Sequence, residues 1–180
     1  KELESWGEHI PSHLKEIQSK APELIDRSKK LRYYHGVYFG YKHWGTSFLY
    51  LGKMDSAKIS FEAALKVETK TTIELKEKAA LRNNLALACQ KLGDMDKSYS
   101  YYSESLVISK QLGDSLGIAR SNFNIGTYFR SKGDFKSAIS YFDKSLKIYS
   151  LLKDKRSVSQ VLNSLGLIQK SLKNYSKALD

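Results

Sequence analysis

Residues 91–94 read Lys-Leu-Gly-Asp, 111–114 read Gln-Leu-Gly-Asp and 131–134 read Ser-Lys-Gly-Asp. Asp94, Asp114 and Asp134 therefore fall twenty residues apart, and Asp154 and Asn174 continue the series. Gly followed by Asp is helix punctuation. Gly takes the left-handed conformation that ends a helix at low steric cost. Asp then accepts hydrogen bonds from the free N–H groups that open the next helix, and its charge suits the positive end of that helix dipole. Lys91, Lys110 and Lys132 precede the breaks, where the negative end favours cations. Each beat predicts one helix of roughly 16–18 residues and a tight turn, about 25 Å long at 1.5 Å per residue. Turns are expected near Gly52, Gly93, Gly113, Gly133, Lys153 and Lys173.

Between the beats the apolar spacing is helical: Ile125, Tyr128 and Phe129 share one face, and Phe135, Ile139, Phe142, Leu146 and Ile148 share another. Antiparallel helices joined by such short turns must pack on each other, and the pairs must stack to cover their apolar faces. The chain also aligns with itself. Residues 83–108 overlay 123–148, 163–180 overlay both, and 42–67 overlay them one residue out of step. The extra residue falls near 69–74, where Thr71 and Glu74 predict a capping box.

Seven positions recur in register. A small residue, Gly45, Ala86, Gly126 or Gly166, follows a large apolar one, Trp44, Leu85, Ile125 or Leu165. Phe48, Cys89, Phe129 and Gln169 come three later. The second helix carries Ala57, Ser98, Ala138 or Ala178 near its start, then Phe61, Tyr102 or Phe142, then Ala64, Ser105 or Ser145, and then Leu65, Leu106 or Leu146. Alternating large and small residues are what close helix packing requires. Over residues 38–180 this pattern resembles a tetratricopeptide repeat array. The resemblance implies an all-α fold, a right-handed α-α superhelix, with repeats at 38–77, 79–118, 119–158 and a truncated 159–180. Two features depart from the family. The usual repeat is about 34 residues, and Thr69, Lys110 and Ser150 replace the proline that normally stops the second helix. Forty-residue repeats of this kind resemble those of bacterial sensor kinases and peptide-sensing regulators, and of eukaryotic scaffold and motor-adaptor arrays.

Residues 1–37 fit the pattern less well and hold both prolines, Pro11 and Pro22. Pro22 reads as a helix start with Glu23 in the first turn, and Leu24, Ile25 and Leu31 as an apolar stripe. The stretch is expected to form broken capping helices or a degenerate repeat. At the other end the second helix of the last repeat is cut short after Ala178 and Leu179. The chain is therefore expected to be part of a longer protein, with self-association through that face as one use of it.

Composition narrows the function. One cysteine excludes an intrachain disulfide and suits a reducing, cytoplasmic setting. No run approaches the roughly 18 apolar residues of a membrane helix. His9 and His13 are four apart with Pro11 between them and no cysteine beside them, so no metal or other cofactor is expected. Cys89 falls at a core-facing position, and no Gly-rich phosphate loop or Ser/His/Asp set occurs, so no catalysis is expected. The formal charge of +11 favours acidic partners, but the basic residues are scattered, which argues against nucleic acid. The aromatic run over 33–50 offers rings that stack bases. At helical spacing, however, Tyr34, Tyr38, Tyr41, Trp44 and Phe48 are expected in a core.

The resemblance implies that first helices line a concave binding face. The residues there that packing does not need are Lys42, His43, Thr46, Asn83, Asn84, Arg120, Asn124, Thr127 and Asn163. Asn offers both a donor and an acceptor to an extended peptide backbone, and Lys and Arg hold carboxylates. Co-chaperone members of the family grip a C-terminal carboxylate with Lys and Asn residues. Lys42 and Asn84 match that clamp and Arg120 preserves a charge, whereas Thr46 and Asn124 depart from it. The expected function is a protein- or peptide-binding module, the sensor or regulatory part of a larger signalling protein, with an acidic or carboxylate-ended ligand. The alternative is an architectural scaffold or self-assembly segment.

Overall fold

A computed structural model describes residues 13–179, with side chains as far as Leu172. His9 and Pro11 lie outside the described residues, as does the side chain of Ala178. Eight α-helices and no strand occur among the described residues: α1 Leu14–Lys30, α2 Tyr34–Tyr50, α3 Met54–Val67, α4 Leu75–Lys91, α5 Met95–Gln111, α6 Ser115–Ser131, α7 Phe135–Leu151 and α8 Lys155–Leu179. A 3-10 turn, Glu68–Lys70, follows α3. The helices form two compact units that divide between Tyr101 and Tyr102.

The Gly-Asp beat acts as the local chemistry requires. Gly52, Gly93, Gly113 and Gly133 take φ values of +73°, +82°, +65° and +79°. The next residue donates its N–H back across the turn, as in Asp94 N to Cys89 O at 2.9 Å and Asp134 N to Phe129 O at 3.0 Å. This bond satisfies a carbonyl that the helix leaves open. The aspartates then cap the following helices. Asp114, Asp134 and Asp154 accept from the N–H groups of Gly117, Ser137 and Ser157 at 3.0, 3.0 and 3.1 Å. The hydroxyl and N–H of Ser137 hold the Asp134 carboxyl below the usual carboxylate range, and Ser157 does the same to Asp154.

In the first unit, α2 is buried on almost every side. One core gathers Tyr38, Phe61, Leu81, Leu85 and Cys89, and another gathers Ile17, Ala21, Ile25 and Val37. Burial pushes the Cys89 thiol up from its ordinary pKa, so little of it is thiolate at neutral pH. In the second unit, Phe142, Ala138, Ala119, Val161 and Ile168 form the core. The small positions work by contact. A Cβ on Gly45 would stand 2.6 Å from the Phe61 ring, and one on Gly126 would stand 2.8 Å from the Phe142 ring. Ser145, at another small position, donates to the carbonyl of Ala119 at 2.9 Å and so tethers α7 to α6.

Several expectations are corrected. Pro22 does not start a helix; it lies inside the unbroken α1. The apolar face of α1, Ile17–Ala21–Ile25, packs on α2 and carries the helix through the missing N–H, while Leu31 is 70% exposed. The Thr71–Glu74 capping box does not form. Thr71 is extended, Ile73 is buried, and α4 begins only after Glu74, which makes no side-chain cap. The turn near Lys173 is also absent, since α8 runs on to Leu179. Lys153 does turn, with φ +57°, and there Asp154 caps the next helix through two bonds from Ser157. At 173–174 Asn replaces that aspartate, and the backbone continues as helix. A Cβ on Gly166 would meet no described residue within 4 Å. Tyr34 is exposed, whereas Tyr38 is fully buried.

Candidate binding surface

The expected readers in the first unit are Lys42, His43 and Thr46 on α2 and Asn83 and Asn84 on α4. Lys42 is only 9% exposed. Its ammonium pairs with the Glu77 carboxylate and lies 5.5 Å from the centre of the Phe39 ring. His43 is 2% exposed and stacks on Phe39 with ring centres 5.7 Å apart. Thr46 donates to the Lys42 carbonyl at 2.8 Å, and the amide of Asn84 donates to the Thr46 hydroxyl at 3.4 Å. Asn83 is half-buried beside Asn84. The structure thus gathers Lys42, Thr46 and Asn84 into one bonded group that ties α2 to α4.

Further ion pairs surround this group. Arg82 holds Glu68 through both guanidinium nitrogens at 2.8 and 3.0 Å, and Lys78 lies 3.6 Å from the same carboxylate. Tyr38 donates to the Glu77 carbonyl at 3.2 Å. Burial pushes the Tyr38 hydroxyl well above its ordinary pKa, with Glu68 and Glu77 adding to the shift, so it acts as a fixed donor. Glu68 and Glu77 are the functional partners that sequence reasoning missed. Each lies ten or more residues from its cations in sequence, so no local spacing signals the pair. His13 meets Glu16 at 3.0 Å, and no group of His, Cys, Asp or Glu able to hold a metal occurs among the described residues.

In the second unit the candidates are Arg120, Asn124 and Thr127 on α6 and Asn163 on α8. Arg120 and Asn163 are exposed. Arg120 makes no ion pair among the described residues, and its charge helps to lower the pKa of Asp154 after Ser157 has done most of the work. Asn124 is half-buried, and Thr127 donates to the Phe123 carbonyl at 3.1 Å. The two units therefore treat their candidate cations differently: Lys42 is neutralised within the fold, whereas Arg120 is presented to solvent.

Antiparallel helix pairs, glycines closed by left-handed caps and aromatic rings seated on small residues define an all-α helical repeat. The Tetratricopeptide repeat family model matches residues 77–151, and this segment consists of tetratricopeptide repeats. No curated protein matches the chain in sequence. Among solved structures, BtubC (BKLC) from P. vanneervenii is similar with 20% identity and a TM-score of 0.68, over 88% of this chain and 66% of that one. The Rap conjugation gene regulator of plasmid pLS20, solved with the Phr* peptide, has 16% identity and a TM-score of 0.72, over 84% of this chain and 42% of that one. A putative kinesin light chain with TPR-like repeats from Podosopora anserina has 14% identity and a TM-score of 0.64, over 95% and 96%. This chain spans less than two thirds of the length of the first two. At these identities the likeness is one of fold. No helix among the described residues is long and apolar enough to cross a membrane.

Proposed function

We propose that this chain is a protein-interaction module that binds a peptide segment of a partner through its first-helix faces and forms the sensor or regulatory part of a larger cytoplasmic signalling protein. The observation that carries the reading is the exposed Arg120, free of any ion pair among the described residues, on the same helix as Asn124. A guanidinium left in solvent binds a carboxylate at little desolvation cost, and an asparagine bonds a peptide backbone in either sense. The family match supports an interaction role, and the Rap regulator, solved with a peptide, supports a peptide as the partner.

Within the expected set, the exposed Arg120 and Asn163 are the readers. Lys42, His43, Thr46 and Asn84 shape and stiffen the first unit, because their polar groups or rings are already engaged. Peptides selected from a displayed library on the immobilised chain supply the ligand for calorimetric titration. Arg120→Ala with Asn163→Ala removes up to two or three hydrogen bonds, worth about 0.5–1.5 kcal/mol each. The expected outcome is affinity weakened by roughly ten- to a hundredfold at an unchanged melting temperature. Unchanged affinity removes these residues from the site. A library that yields no peptide favours the architectural alternative.

A further inference from the structure

The second unit carries another surface, a groove of ≈ 370 Å³ between α5 and α7 with α6 at its base. Its apolar lining is Leu106, Ile118 and Ile148, and its basic rim is Lys110 on one wall with Lys144 and Lys147 on the other. On α6 the groove uses Ile118 and Asn122. At 100° per residue these lie on the side opposite Arg120, Asn124 and Thr127, so the groove is separate from the face discussed above.

Three observations give this groove a ligand chemistry. The first is the state of its cations. No described carboxylate pairs with Lys110, Lys144 or Lys147, although all three line one groove. The second is preorganisation. The Lys144 ammonium lies 4.8 Å from the centre of the Tyr141 ring, which stacks on Phe129 with centres 5.5 Å apart and planes at 13°. The ring holds the charge at the rim. The third is volume, which falls in the range of about 300–1,000 Å³ that takes a small ligand or a few side chains.

We infer that the α5–α7 groove docks an acidic peptide segment of a partner protein, with apolar side chains on the Leu106–Ile118–Ile148 floor and carboxylates at Lys110, Lys144 and Lys147. A small inorganic anion would leave the apolar floor uncovered. A nucleic acid strand would need stacking platforms and a longer basic track, and three lysines do not provide one. A peptide that interleaves acidic and apolar side chains satisfies both parts of the lining.

The test is fluorescence anisotropy on the full chain with a labelled peptide of alternating Glu and Leu, its Gln-for-Glu isostere and a labelled homopolymeric single-stranded DNA. The chain is expected to bind the Glu peptide more tightly than the isostere, with affinity falling as salt rises. Lys144→Glu with Lys147→Glu should weaken that binding at least tenfold. Lys91→Glu with Lys136→Glu, an equal change of charge at exposed sites outside the groove, should change it little. Lys144→Gln with Lys147→Gln, a milder change at the same rim, should weaken binding in the same direction and covers the case in which the reversed charges disturb folding. The inference is overturned if Glu and Gln peptides bind alike or not at all, or if the control pair loses as much. DNA binding that depends on Lys144 and Lys147 would also overturn it.

Discussion

At the residue scale, the fold depends on a few places where a ring occupies the space of a missing side chain. Gly126 and Gly166 occupy equivalent repeat positions, yet their surroundings differ. The Phe142 ring, fully buried and unable to swing away, stands 2.8 Å from where a Cβ on Gly126 would sit. No described residue lies within 4 Å of the same point at Gly166. Ala in a helix interior is favoured over Gly by roughly 0.5–1 kcal/mol, while overpacking a core costs about 1–3 kcal/mol. Gly166→Ala should therefore raise the melting temperature, and Gly126→Ala should lower it despite the better propensity. Differential scanning calorimetry of the two variants checks the opposite signs. The pattern of small and large residues was legible in the sequence because packing repeats with it. Sequence offers Lys42 and His43 as ligand contacts. Their position on a first helix, three and four residues after Phe39, is visible in sequence, but the pair of Lys42 with Glu77 arises only when α2 and α4 meet.

At the scale of elements, the turns carry the regularity. Gly52, Gly93, Gly113 and Gly133 were readable because glycine there relieves a real steric cost. The same left-handed turn occurs at Arg32, with φ +53° and a 2.8 Å bond from Tyr33 N to Ser28 O, and no glycine or aspartate marks it in the sequence. A side chain in this region costs roughly 1–2 kcal/mol. Lys153→Gly should recover much of that cost, less glycine's greater freedom in the unfolded chain, and raise the melting temperature by a few degrees. An unchanged or lower value would show that Lys153 contributes more than its backbone. Pro22 misled for the opposite reason. Its local preference for a helix start is genuine, but burial of Ile17, Ala21 and Ile25 against α2 outweighs one lost hydrogen bond. Thr71 and Glu74 have the spacing of a cap, and burial of Ile73 keeps that stretch extended instead.

At the scale of the whole molecule, a formal charge of +11 is spread over both units. The first neutralises key cations within itself, at Lys42–Glu77 and Arg82–Glu68. The second leaves Arg120 and the lysines of the α5–α7 groove to face solvent. The central claim, that first-helix residues of the second unit read a peptide, is tested most directly by amide hydrogen exchange of the chain alone and with its selected peptide. Binding should slow exchange in α6 around Arg120 and Asn124 and in α8 around Asn163, with little change in α1. Slowed exchange confined to other helices, or none at all with the peptide bound, would contradict the claim.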